Sequence, residues 1–77
     1  MRQVNMQTEK IKISTDYIKL DSLLKFAGVT ATGGEAKEII GMEKVLVNGE
    51  VCQMRGKKLR PGDKAELPEL SLTLEIE

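Results

Sequence analysis

The sequence predicts an α+β domain in which two short N-terminal helices pack on one face of a small, mainly antiparallel, hairpin-rich sheet. Three observations carry this. Apolar residues recur at helical spacing in "YIKLDSLLKFAG" and again in "TGGEAKEIIG", and from "KVLVNGEVC" onward the period changes to alternation. Two turn signals, Asn48-Gly49 and Pro61-Gly62, then divide the alternating half. Helices followed by a run of strands describe a helix layer on a sheet. A chain of 77 residues has room for one such domain, and 40% hydrophobic with 31% charged residues is the composition of an ordinary globular protein.

The opening "MRQVNMQTEK" is polar and has no apolar core, so residues 1–10 are expected to be a flexible leader, neither signal nor transit peptide, ahead of a single domain at 11–77. "IKIST" alternates, with Ile11 and Ile13 on one face, and predicts a short strand. In the first helix Leu20, Leu23, Leu24 and Ala27 fall at i, i+3, i+4 and i+7, with Asp21 the expected cap and Gly28 the stop. The second helix opens on Thr32 with Glu35 three residues on, a capping-box spacing that satisfies otherwise orphaned backbone donors. Ala36, Ile39 and Ile40 then face inward, Lys37 and Glu38 face water, and Gly41 ends the helix. Asn48-Gly49 between apolar runs predicts a hairpin whose buried face carries Val45, Val47 and Val51. Pro61 to Asp63 reverses the chain into the strand that begins "KAEL". "LSLTLEIE" alternates to the end, Leu70, Leu72, Leu74 and Ile76 on one face, and predicts a closing strand.

Several chemistries are excluded by what is missing. The longest apolar runs are too short to cross a bilayer. There is no His and only one Cys, so neither an intramolecular disulfide nor the usual zinc site can form, and Cys52 is expected to be a small buried hydrophobe on a strand. Without His, a reactive Cys or a Ser in a nucleophile elbow, the parts of an active site are absent, and the twelve carboxylates are spread over solvent faces. The sequence therefore predicts no enzyme, no cofactor and no metal, in a cytosolic protein. Gly33-Gly34 lacks the Gly-Lys-Ser/Thr ending of a nucleotide loop. Two readings of it stand level: a tight turn between helices, or close approach of a nucleic-acid phosphate to free amides at a helix N-terminus.

Charge is the informative quantity. Twelve Lys and Arg balance twelve Asp and Glu, but the signs are segregated along the chain. From Met54 to Lys64 there are five basic residues (Arg55, Lys57, Lys58, Arg60, Lys64) against Asp63 alone; from Ala65 to Glu77 there are four acids and no base. A local field of one sign attracts anions even on a neutral molecule. Gly56 and Pro61-Gly62 predict a loop that projects these cations, and Lys19, Lys37 and Lys44 extend the patch if the helices pack beside it.

The order "KLDSLLKFAG", "TGGEAKEII", "VLVNGE", "LRPGDK" resembles the small RNA-binding domain family named after ribosomal small-subunit protein S-four. That family's pattern is a basic-Leu-Asp helix start, a Gly, a Ser-Arg-x-x-Ala second-helix start, then Val-x-Val-Asn-Gly and Gly-Asp. The likeness covers Ile11 to about Leu67. Gly-Gly in place of Ser-Arg, and "RGKKL" before "PGD", resemble more closely the small stand-alone bacterial members of the YaaA/YbcJ type. The resemblance implies an αL-type RNA-binding motif, with Lys19, Lys37, Asn48 and the cations from Arg55 to Arg60 in contact with RNA. The family's second-helix Arg falls on Gly33 here, and the Gly that usually precedes the hairpin falls on Glu43, so the later basic loop is expected to take over the usual contact.

Only Tyr17 and Phe26 are aromatic, too few platforms for base-by-base stacking on single strands. The expectation is therefore an RNA-binding module for structured RNA, ribosomal or similar, acting through phosphate and shape from Lys19, Gly33, Gly34, Lys37, Lys44, Asn48, Arg55, Lys57, Lys58 and Arg60. The rival expectation is a non-enzymatic adaptor that pairs a partner with an exposed edge of the "LSLTLEIE" strand.

Overall fold

The computed structural model describes residues 7–77. In chain order these form β1 (Gln7–Ile11), β2 (Ile18–Lys19), α1 (Leu20–Phe26), α2 (Gly33–Gly41), β3 (Leu46–Val47), β4 (Glu50–Val51), β5 (Lys58–Leu59), β6 (Lys64–Leu67) and β7 (Leu72–Ile76). One sheet has the order β1-β7-β6-β3-β4, parallel between β1 and β7 and antiparallel elsewhere, and β2 pairs with β5 as a separate antiparallel ribbon. The architecture is the expected α+β arrangement.

Helix α1 buries Leu20, Leu23 and Leu24 completely. Its cap differs from the expectation: Lys19, not Asp21, is the N-cap residue, it makes no side-chain capping bond, and Asp21 lies in the first turn. Strand β2 runs straight into the helix, and the first two helical N–H groups donate instead to the carbonyls of Lys57 (2.9 Å) and Arg55 (3.0 Å). Tertiary partners thus replace a local cap. At the other end Gly28, with φ of 77°, closes the helix as its position suggested. In α2 the Thr32 Oγ1 accepts from the Glu35 N–H and the Glu35 carboxylate accepts from the Ala31 N–H, both at 3.2 Å, a capping box whose return bond reaches one residue further back. Beyond α2, Glu43 sits at φ of 60°. It adopts the left-handed backbone that the family's usual Gly would take without strain.

The sheet corrects four expectations. Residues 7–10 are not leader: Gln7 to Ile11 pair with Leu72 to Ile76, in register throughout. An edge strand has one neighbour, so all of β1 but Ile11 stays at least partly exposed and leaves no alternation to detect. The rest of the expected leader, residues 1–6, lies outside the described residues. Val51 is 51% exposed, because the two-residue turn sets it opposite Leu46 while Val47 faces Glu50. Cross-strand partners share a face, so Val51 follows Leu46 outward. Leu70 belongs to a 3-10 turn at Pro68–Leu70 and is also exposed. Finally, β7 lies between β1 and β6. It has no free edge, and the adaptor reading built on that edge is removed.

The helices cover one face of the sheet. Leu20, Leu23, Leu24, Ala36 and Ile40 pack with Val45, Val47, Ala65, Leu67, Leu72, Leu74 and Ile76 in one cluster, which Leu59 of β5 joins. Cys52 is half-buried at the margin of this core rather than within it.

Candidate nucleic-acid interface

The cation-rich segment is held from both sides. Leu59 is fully buried and pins β5, and the carbonyls of Arg55 and Lys57 hold the start of α1. Arg55, Lys57, Lys58 and Arg60 are left exposed. Lys58 therefore projects from a short strand, where the sequence suggested a loop. Pro61 and Gly62 make the expected reversal: the Asp63 N–H donates to the Arg60 carbonyl at 2.9 Å, with Gly62 at φ of 102° in the glycine position of a type II turn.

The β2–β5 register sets Lys19 directly opposite Lys58. Like charges in that position destabilise an antiparallel pair. Lys19 is also the N-cap of α1, where the helix dipole disfavours a cation. The ion pairs among the described residues are Lys10 with Glu77 (3.9 Å) and Lys44 with Glu69 (3.5 Å), and neither neutralises this cluster. Lys19 and Lys58 thus meet on the surface of the β2–β5 ribbon, and Arg55, Lys57 and Arg60 stand exposed on the segment around it.

Tyr17 belongs to this surface, a role that the sequence did not reveal. Its ring centroid lies 4.8 Å from the Lys58 Nζ and 6.0 Å from the Arg60 guanidinium carbon. Cations over an aromatic face are attracted by its quadrupole, so one ring fixes the heads of two long side chains. The signal was hidden because Tyr17 is over forty positions from Lys58 and only the β2–β5 pairing joins them.

Asn48 behaves differently from the expectation. Its turn, with φ of 52° at Asn48 and 88° at Gly49, is the predicted hairpin. Its amide, however, donates to Asp63 (3.2 Å) and accepts from the Lys64 N–H (3.0 Å). The side chain ties the hairpin to the Arg60–Asp63 turn and retains only one N–H for a ligand. Asp63 completes the knot. The hydrogen bond from the Arg60 N–H (2.8 Å) chiefly holds its carboxyl below the ordinary value, aided by the Asn48 amide and the charges of Lys57 and Arg60, with partial burial opposing.

The other candidates lie elsewhere. Lys44 is drawn to Glu69, at the opposite end of the β3–β6 ladder from Asn48, and does not extend the patch. Lys64 stands opposite Glu75 across β6 and β7. Lys37 is exposed on α2, and Gly33 and Gly34 are the first two residues of that helix. The far end of α2 is the one near the basic segment, since the Gln53 amide donates to the Gly41 carbonyl at 3.1 Å. Gly33 is about 12 Å from there along the helix axis. It and Gly34 form a second locus rather than part of the first. Neither has a positive φ, and an added Cβ would meet open space at Gly33 and only the Thr32 Oγ1, at 3.8 Å, at Gly34. The fold does not require glycine at either position.

No group of three or more His, Cys, Asp or Glu side chains is placed to hold a metal ion among the described residues, and no helix among them is long and apolar enough to cross a membrane. The ribbon and the start of α1 thus carry cations outside either ion pair found among the described residues. The chain belongs to the S4 domain family, whose description it matches over residues 11–75. It is 44% identical over 57 residues to the probable ribosome maturation protein RlbA of Bacillus subtilis, covering 74% of this chain and 80% of that one. It is also similar to small ribosomal subunit protein uS4, 32% identical over 68 residues in Flavobacterium psychrophilum and 37% over 49 residues in Coxiella burnetii. These matches cover 88% and 64% of this chain respectively, but only 34% and 24% of the uS4 chains.

Proposed function

We propose that this chain is a non-catalytic cytoplasmic module that binds structured RNA, ribosomal RNA or similar, through phosphate and shape. Lys19, Arg55, Lys57, Lys58 and Arg60 hold the phosphates, Tyr17 positions two of them, and Lys37 with the Gly33 and Gly34 amides makes a second contact. One observation carries the reading: Lys19 stands directly opposite Lys58, with no acid paired to either among the described residues. A surface that served stability alone would intersperse acids among its cations. Membership of the S4 domain family and likeness to a ribosome maturation protein and a ribosomal protein support RNA, in a ribosomal setting, as the anion.

The test is the salt dependence of binding to a folded RNA hairpin. Each neutralised phosphate lowers log affinity against log salt by roughly 0.7 to 0.9, so six engaged cations, Lys37 among them, give a slope of about five. Exchanging Arg55, Lys57, Lys58 and Arg60 together for Gln should weaken binding strongly and flatten the slope to about one and a half, the share of Lys19 and Lys37. A control exchange of Glu69, Glu75 and Glu77 for Gln should leave the slope nearly unaltered. If the basic variant binds as tightly as the parent at every salt concentration, the reading is wrong.

A further inference from the structure

The two helices end differently. Helix α1 carries Lys25 in its last turn, where a cation offsets the negative end of the helix dipole. Helix α2 has no basic residue in its last turn; Glu38 lies there instead, and Glu43 follows two residues beyond Gly41. Both carboxylates are exposed and belong to neither ion pair found among the described residues. Between them Met42 leaves 59% of its surface in water. Its N–H donates to the Glu38 carbonyl at 3.0 Å, so Glu38 and Met42 stand one turn apart on one side of the helix. The Gln53 amide, bound to the Gly41 carbonyl at 3.1 Å, brings the next residue, Met54, to the same end, and Met54 is 67% exposed. This end of α2 therefore joins two uncovered methionines to two carboxylates placed where the helix dipole disfavours them.

An occupant must supply apolar contact and positive charge together. The carboxylates repel RNA, and a bare metal ion would leave the methionines in water. Arg and Lys meet both needs, because their aliphatic stems lie along apolar surface while their charged heads reach past it. Methionine suits such a contact, since its unbranched chain adapts to irregular shapes. We infer that the C-terminal end of α2 docks a protein segment rich in Arg or Lys and aliphatic residues, whose cations pair with Glu38 and Glu43 and whose apolar side chains cover Met42 and Met54. Arg55 follows Met54 and opens the cation-rich segment, so this surface adjoins the one proposed for RNA without sharing a residue with it. The chain thereby sets a basic protein segment beside RNA, a role that goes beyond the RNA-binding reading above.

The probe is a synthetic amphipathic helical peptide of Leu and Arg, with a Leu and Glu counterpart as control, titrated into the isotope-labelled full chain and followed through amide NMR shifts. The Leu-Arg peptide should shift the amides of residues 38–43 and 53–54, and the Leu-Glu peptide should shift none of them. Glu38→Gln with Glu43→Gln should weaken Leu-Arg binding about fivefold, through the loss of two exposed charge pairs. Met42→Ser with Met54→Ser should weaken it about as much, through lost apolar contact. All four positions are exposed, so each variant keeps the fold. Shifts centred instead on Glu66, Glu69 or Glu75, no shifts, or equal binding of the Leu-Glu peptide overturn the inference. Unchanged affinity in the methionine variant reduces the contact to bare charge and overturns it as well. If the chain self-associates with rising concentration and the carboxylate variant stays monomeric, the surface takes a second copy and the inference falls. A folded RNA hairpin should leave the amides of residues 38–43 unshifted; shifts centred there also refute the protein-docking surface, whereas absence of any RNA binding refutes only the RNA reading.

Discussion

Lys19 is a residue that the fold alone would be better without, and Lys19→Gln tests that directly. Two unfavourable interactions disappear in the variant. Repulsion from Lys58 across the β2–β5 pair is worth about 0.2–1 kcal/mol, and a cation at the positive end of α1 costs about 0.3–1 kcal/mol. Both charges are exposed, so the lower half of the summed range applies, about 0.5–1 kcal/mol. For a domain of this size that raises Tm by roughly 2–8 °C. The gain should shrink in 1 M salt, where screening acts over about 3 Å. RNA affinity should move the opposite way, with the salt slope falling by about 0.7 to 0.9 for the one phosphate no longer neutralised. Thermal melts at low and high salt, beside anisotropy titrations with a folded hairpin, read both effects. A variant that melts below the parent at both salts, or that keeps the parent's affinity and slope, refutes the argument that Lys19 is retained for an anion.

Three further outcomes are expected. Replacing Gly33 and Gly34 with Ala should stabilise the domain by about 0.4–1 kcal/mol per site, since neither backbone needs glycine, and should lower RNA affinity by removing close approach to the amides; lower stability with unchanged affinity would make the glycines structural. Glu43→Gly should relieve a left-handed residue and yield a net gain of about 0.5–1 kcal/mol in denaturant unfolding, after the entropy of the added glycine, with RNA binding unaltered. Asp63 has a folded pKa below its ordinary value of 3.8, so its ionised form contributes stability above that pH, and the contribution is lost as pH falls through the folded value. Asp63→Asn should therefore destabilise at pH 7, and the gap from the parent should close in acid; a gap that persists unchanged to pH 3 would place the effect in packing instead of charge.

Much of this molecule is written locally. The i, i+3, i+4 spacing placed Leu20, Leu23 and Leu24 in the core, Thr32 and Glu35 made their capping box, and Asn48-Gly49 and Pro61-Gly62 made their turns. Each depends on neighbours within a few residues, which a linear sequence displays directly. The segregation of charge was equally visible, because it is a property of order along the chain.

What only tertiary structure decided depends on pairing between distant segments. The parallel union of β1 with β7 turned an expected leader into an edge strand and made the closing strand an interior one. Register, not hydrophobicity, sent Val51 outward, because a two-residue turn fixes which residues share a face. The same holds at the site. Charge order alone could not show that Lys19 and Lys58 confront each other, that Tyr17 holds Lys58 and Arg60, that Asn48 is spent on Asp63, or that Lys44 turns away to Glu69. The residue types were legible because chemistry belongs to side chains, whereas their grouping was not, because a two-residue ribbon such as β2–β5 is too short to carry a periodicity and exists only when the core brings its halves together.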